Sequence, residues 1–184
     1  MNERGKMFWR DALLSGTKIG IVSVVCSIII KLVGNGALGG VLPFLERVIF
    51  FVLIFVFVRK HSWKYSPEEG FPFGRAFGFV LAMLLFVGII QGVYNAILAN
   101  YFMAPELTAE IDAVMVALQE QTPNLYTPEM LEQSKDMITT LTFNPFAATL
   151  STLLGVEISG IFIGLLVAVF TYRRADLFAG PRSE

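Results

Sequence analysis

The chain has 184 residues, 55% of them hydrophobic, with 17 Phe and a net charge of −1, and its mean hydropathy is +0.66. So much apolar content in one domain's length excludes an ordinary water-soluble domain and points to a small membrane bundle. One Cys and one His exclude a disulfide framework and argue against a His/Cys metal site, and the basic residues form short clusters beside apolar runs rather than a nucleic-acid footprint.

Arg4, Lys6 and Arg10 precede an apolar run, as in a signal peptide. No small-x-small site follows and Lys18 interrupts the run, so the segment is expected to stay attached as a membrane helix. Bulky Val25 before Cys26 argues against a lipoprotein site, and Cys26 reads as a small buried apolar residue.

Crossing about 30 Å of hydrocarbon takes roughly 20 mainly apolar residues. Four segments qualify: Ala12–Val33, Val41–Val58, Phe77–Phe102 and Phe146–Tyr172. Lipid offers the backbone no water, so each is expected to be helical. The first contains Lys18 and Lys31, and the second carries Glu46-Arg47 ahead of the pure core "VIFFVLIFVFV". Lys31, Glu46 and Arg47 form a candidate charge cluster near the outer surface. The connection "RKHSWKYSPEEGFPFGR" holds His61, Lys64 and Glu68-Glu69. It shows no nucleophile, base and orienter together, so it reads as a basic loop facing lipid headgroups, and no enzyme is expected.

Between the third and fourth spans, Ala104–Pro145 carries seven acidic residues against Lys135. Leu107, Ile111, Val114, Met115 and Leu118 form one amphipathic stripe, and Met130, Leu131, Ser134, Met137, Ile138 and Leu141 form another. Thr127-Pro128-Glu129 has the order of a helix start: a hydroxyl cap, proline at the first position, an acid in the first turn. Asn144-Pro145 ends the second stripe. The insert is expected to be a hairpin of two short helices, either a packed acidic loop or a docking or gating cap. No EF-hand spacing supports a cation site.

Ten of the 14 Lys and Arg lie before the first span, between the second and third, or after the fourth. The "GNGALGG" connection has none. The positive-inside rule puts both termini and the middle loop in the cytoplasm. Trp9, Trp63, Tyr65, Tyr101 and Tyr172 fall at span ends, where amphipathic aromatics favour the interface.

Charged groups at membrane depth need a partner, neutralisation or water. Glu157 sits near the middle of the fourth span, and Gly160, Gly164 and Ala168 share its face. Small residues on one ridge allow close helix approach, so Glu157 is expected to point into the bundle. Gln91 and Asn95 beside Gly88 and Gly92, together with Lys18, are its candidate partners. Lys18 lies roughly opposite Gly16, Gly20, Ser23 and Ser27, so it either snorkels or gives the first span a second contact face. The spacings Gly16/Gly20, Gly88/Gly92 and Gly160/Gly164 mark helix packing within one chain or between two. Glu157 reads as a structural bond joining spans one, three and four, as a proton or cation site for transport, or as a point of partner recognition.

The entry "F-P-F-G-R-A-F-G-F", the exit "P-E-L", the insert "L-Y-T-P-E-M-L-E-Q", the "N-P" restart and a Gly-rich last span resemble a family of small four-span inner-membrane proteins. These come from Bacteroidetes-type bacteria and form a domain of unknown function. The resemblance implies a Gram-negative inner membrane and a periplasmic insert, and it carries over no activity or functional residues. The expected molecule is an all-α polytopic membrane protein, one membrane domain over residues 1–184. Its expected partners are the bilayer, a second copy or another membrane protein, with no cofactor and no nucleic acid.

Overall fold

The computed structural model describes residues 3–33, 40–121 and 126–176. The Gly-rich connection at 34–39, the first proline break at 122–125 and Arg182 lie outside the described residues.

Six helices follow in chain order: α1 Glu3–Val33, α2 Val41–Ser62, α3 Phe73–Tyr101, α4 Ala104–Gln121, α5 Pro128–Phe143 and α6 Pro145–Thr171. There is no strand among the described residues, only an isolated bridge between Phe71 and Arg173. Helices α1, α2, α3 and α6 are long and apolar enough to cross a membrane. The first three outrun the apolar segments at their basic ends. α1 starts at Glu3 rather than Ala12, and α2 runs to Ser62 rather than Val58. Hydropathy marks where lipid would begin, whereas a helix ends where its hydrogen-bond ladder ends, and Arg59, Lys60 and His61 continue that ladder.

Residues 1–90 with 155–184 form one unit, and residues 91–154 form a second. In the first unit α3 supplies the largest share of the core, with Ala76, Phe79, Val80, Met83, Leu84 and Val87 all buried. Ala12 and Ile19 of α1, Ile54 and Val58 of α2, and Val167 and Ala168 of α6 join them. Gly16 permits this packing, because a Cβ there would collide with the Met83 carbonyl oxygen and lie 2.9 Å from Phe86 Cβ.

The basic end of this unit is closed by backbone bonds. Phe71 and Arg173 each donate an N–H to the other's carbonyl, both at 2.8 Å, and the Asp176 N–H reaches the Pro67 carbonyl at 2.9 Å. Gly70 makes the turn at φ +60°, a region that disfavours side chains. A Cβ there would also stand 2.6 Å from the Ala175 nitrogen.

In the second unit α4 packs on α5, and Lys135 pairs with Asp112 at 2.7 Å. Thr127 caps α5 by accepting from the Met130 N–H at 3.3 Å. Asn144 ends α5 and begins α6, its side-chain oxygen accepting from the Phe146 and Ala147 N–H groups at 3.0 and 3.1 Å. The two stripes are not equally used. Ile111 and Met115 of α4 are buried, while Met130, Met137 and Leu141 of α5 stay exposed.

Candidate functional site

The densest polar arrangement in the first unit joins the start of α1 to the end of α2. Asp11 and Ser15 lie one turn apart on the face of α1 that also buries Ala12, Gly16 and Ile19. His61 occupies the last turn of α2 and is only 2% exposed. Its Nδ1 stands 2.7 Å from Asp11 Oδ2. The same oxygen accepts from Lys64 Nζ at 2.6 Å. Asp11 is 8% exposed, so its carboxylate is compensated by two donors rather than by bulk water.

This geometry fixes the histidine's role. An ionised Asp11 can only accept, so Nδ1 carries hydrogen toward it. Nε2 then faces the Tyr65 hydroxyl at 3.5 Å, the long limit of a hydrogen bond. The imidazole stacks on Phe79 at 3.9 Å with 2° between the planes. Phe8, Tyr65 and Phe71 meet it edge-on. Four aromatic rings therefore hold the ring in one orientation.

Tyr65 carries the arrangement outward. The guanidinium of Arg75 lies 4.8 Å from its ring centre and that of Arg4 5.4 Å. Burial pushes the Tyr65 phenol up, partly opposed by Arg75 and Arg4. Arg4 pairs with Glu69 at 2.7 Å, and these groups border a pocket of about 420 Å³. Arg173 donates to the Ser62 carbonyl and, at 3.2 Å, to the Tyr65 carbonyl. The N-terminal helix, the 62–75 segment and residues 173–176 thus share one end of the unit.

Two expectations are corrected. The 59–65 stretch is not a loop facing headgroups throughout, because α2 continues and turns His61 inward against Phe79. Tyr65 is not a surface anchor but part of the buried cluster. Each carries a polar group with an inward partner, which outweighs the interfacial preference.

Lys18 is exposed and lines a second pocket, of about 140 Å³, with Lys60, Lys64, Asp11 and His61. Glu157 is half-buried, and its Oε1 has no hydrogen-bond partner among the described residues. Gly160 and Gly164 are buried on its helix and close on Leu84 and Phe77 of α3. Gly20 closes on Ile90, and Gly88 is buried.

Gln91 and Asn95 fall in the second unit. There Asn95 donates to Thr152 Oγ1 at 3.4 Å, and Gly92 meets the Thr149 backbone. Lys31 and Arg47 are exposed, while Glu46 turns inward and accepts from Ser23 Oγ at 2.9 Å.

The sequence reading missed Asp11 altogether. A signal was present, since Asp11, Ser15 and Ile19 share a ridge with Ala12, Gly16 and Gly20, as Glu157 does with its glycines. No group of three or more His, Cys, Asp or Glu placed to hold a metal occurs among the described residues.

A family model described as "Protein of unknown function (DUF4199)" matches residues 14–173. No curated protein matches the chain, and no solved structure does.

Proposed function

The chain belongs to that family, whose description carries no activity, and we propose from the geometry that it is a non-enzymatic multi-pass protein of the bacterial inner membrane. In this reading it works as a scaffold or accessory subunit. Both termini and the 62–75 segment face the cytoplasm, and the α4–α5 hairpin lies outside. The observation that carries the reading is the Asp11–His61–Lys64 network. It spends its polar groups on each other and ties α1 to α2. The gathering of Arg4, Lys64, Arg75 and Arg173 at one end supports the direction, because positive charge is retained on the cytoplasmic side.

Reporters fused near Lys64 and near Gln121 test the direction. The first should read cytoplasmic and the second periplasmic, and the reverse pattern overturns it. Gentle extraction followed by cross-linking tests the scaffold role, with a stoichiometric membrane partner or second copy as the expected result.

A second reading rests on Glu157. A buried carboxylate oxygen without a partner is the kind of group that takes up a proton or cation during transport. Under that reading Glu157→Gln abolishes coupled flux in proteoliposomes while folded protein remains in the membrane. If the variant only lowers thermal stability, the carboxylate is structural.

A further inference from the structure

We infer that the cleft between α1 and the end of α2 binds the phosphate headgroup of an anionic membrane lipid. Three lysines converge on it: Lys18, Lys60 and Lys64. The Asp11 carboxylate is already held by Lys64 and His61. Lys18 and Lys60 meet no carboxylate within ion-pair distance among the described residues. Three lysines against one carboxylate leave the cleft with at least two net positive charges. Its volume of about 140 Å³ is below the roughly 300 Å³ at which small-molecule pockets begin. A phosphate group suits it and a bulky substrate does not.

The placement of Lys18 argues for a lipid rather than a soluble anion. Lys18 lies on the stripe Leu14, Ile21, Val25 and Ile28, at helical spacings of three and four. All four apolar residues are exposed, Leu14 at 52%. A lysine in an apolar stripe brings its charge to the headgroup level by climbing along the helix. Here it climbs toward the basic end, since it shares the cleft with Asp11, seven positions or roughly 10 Å of helix nearer that end. Leu14 and Phe57 line the same cleft. A lipid could therefore set its phosphate among the lysines and lay an acyl chain along Leu14, Ile21 and Val25. Basic pockets between membrane helices recognise headgroups in this way. The position of Lys18 inside an apolar span, unexplained by helix packing, then has a cause.

The inference rests on the multi-pass membrane reading but not on its direction. A reversed reporter pattern would overturn the topology and leave this test intact. The measurement is native mass spectrometry of protein reconstituted with phosphatidylglycerol or with phosphatidylcholine. The wild type should retain phosphatidylglycerol preferentially. Each Lys near an anionic surface contributes about fivefold in affinity, so Lys18→Gln with Lys60→Gln should weaken retention roughly 30-fold. Lys18→Arg with Lys60→Arg should keep it, and Lys6→Gln at the exposed helix start should change nothing. Equal retention of the two lipids by the wild type overturns the inference, as does equal retention by wild type and the glutamine pair. Displacement of bound lipid by millimolar inorganic phosphate would also overturn it, since the cleft would then serve a soluble anion.

Discussion

His61 Nδ1 and Asp11 Oδ2 lie 2.7 Å apart across fifty residues of chain, one near the start of α1 and the other in the last turn of α2. The contact is buried, so removing one partner strands the other. Asp11→Ala leaves the buried imidazole N–H without its acceptor and frees a Lys64 ammonium that water already reaches, and is expected to destabilise by about 1–3 kcal/mol. His61→Phe keeps the stack on Phe79 and leaves Lys64 on Asp11, so its cost should be comparable, about 1–3 kcal/mol. The double variant should cost less than the sum, because the shared contact is lost only once. Unfolding in detergent measures all three. Additive losses would show that the two side chains do not act as a pair.

The spans were legible because lipid solubility is written in composition and length. Their ends were not. Asp11 and His61 lie just beyond the apolar runs, and a reading that stops at the last apolar residue assigns both to solvent. Helix geometry carries them inward, since Asp11 shares a ridge with Ser15 and Ile19, and His61 lies three residues from buried Val58. The close approach of α1 to α3 was half legible: Gly16 announced a contact, but Met83 as its partner depends on how helices distant in sequence pack. Spacing alone puts Glu157 on one ridge with Gly160 and Gly164, whereas its unpartnered oxygen is a property of the assembled unit.

The small-residue contacts separate by sign. A Cβ at Gly16 meets the Met83 carbonyl, and one at Gly92 stands 2.8 Å from the Thr149 Cα and carbonyl oxygen. Backbone cannot move aside cheaply, so Gly16→Ala and Gly92→Ala should each cost about 1–3 kcal/mol. At Gly160 the nearest atom is the tip of the flexible Leu84 side chain, and the cost should be less. Gly78 has open space around its Cβ position, so Gly78→Ala should stabilise α3 by about 0.5–1 kcal/mol through helix propensity. Thermal midpoints in one detergent rank the four. A Gly16→Ala protein as stable as Gly78→Ala would disprove the close approach.

The clasp at the basic end depends on Gly70 and Arg173. Gly70→Ala puts a side chain into a left-handed conformation and against the Ala175 nitrogen. Arg173→Ala removes two charged bonds, to the Ser62 and Tyr65 carbonyls, and should cost about 1.5–3 kcal/mol. In both variants amide exchange should quicken at Phe71 and Arg173 first, before the core of α3. Unchanged protection at those two amides would show that the bridge holds without these supports.

The α4–α5 hairpin should loosen at both extremes of pH. The Glu129 carboxyl is held below its ordinary value of 4.5 by its own backbone N–H and by the Thr127 hydroxyl. Its depressed value favours the capped helix above pH 4.5, and that contribution disappears as pH falls through the folded value. Lys135 is raised above 10.5 by its bond to Asp112. That contribution is complete below 10.5 and disappears as pH rises through the folded value. Both groups are solvent-exposed, so the effects are local, and amide exchange along α5 is the measurement. Exchange corrected for its intrinsic pH dependence should be slowest between these limits. Thr127→Ala should lower helix stability by about 0.5–2 kcal/mol and remove the hydroxyl's part of the acid-side transition. Lys135→Met should abolish the alkaline one while leaving the acid side in place. An acid transition unchanged in Thr127→Ala would rule the cap out as its source.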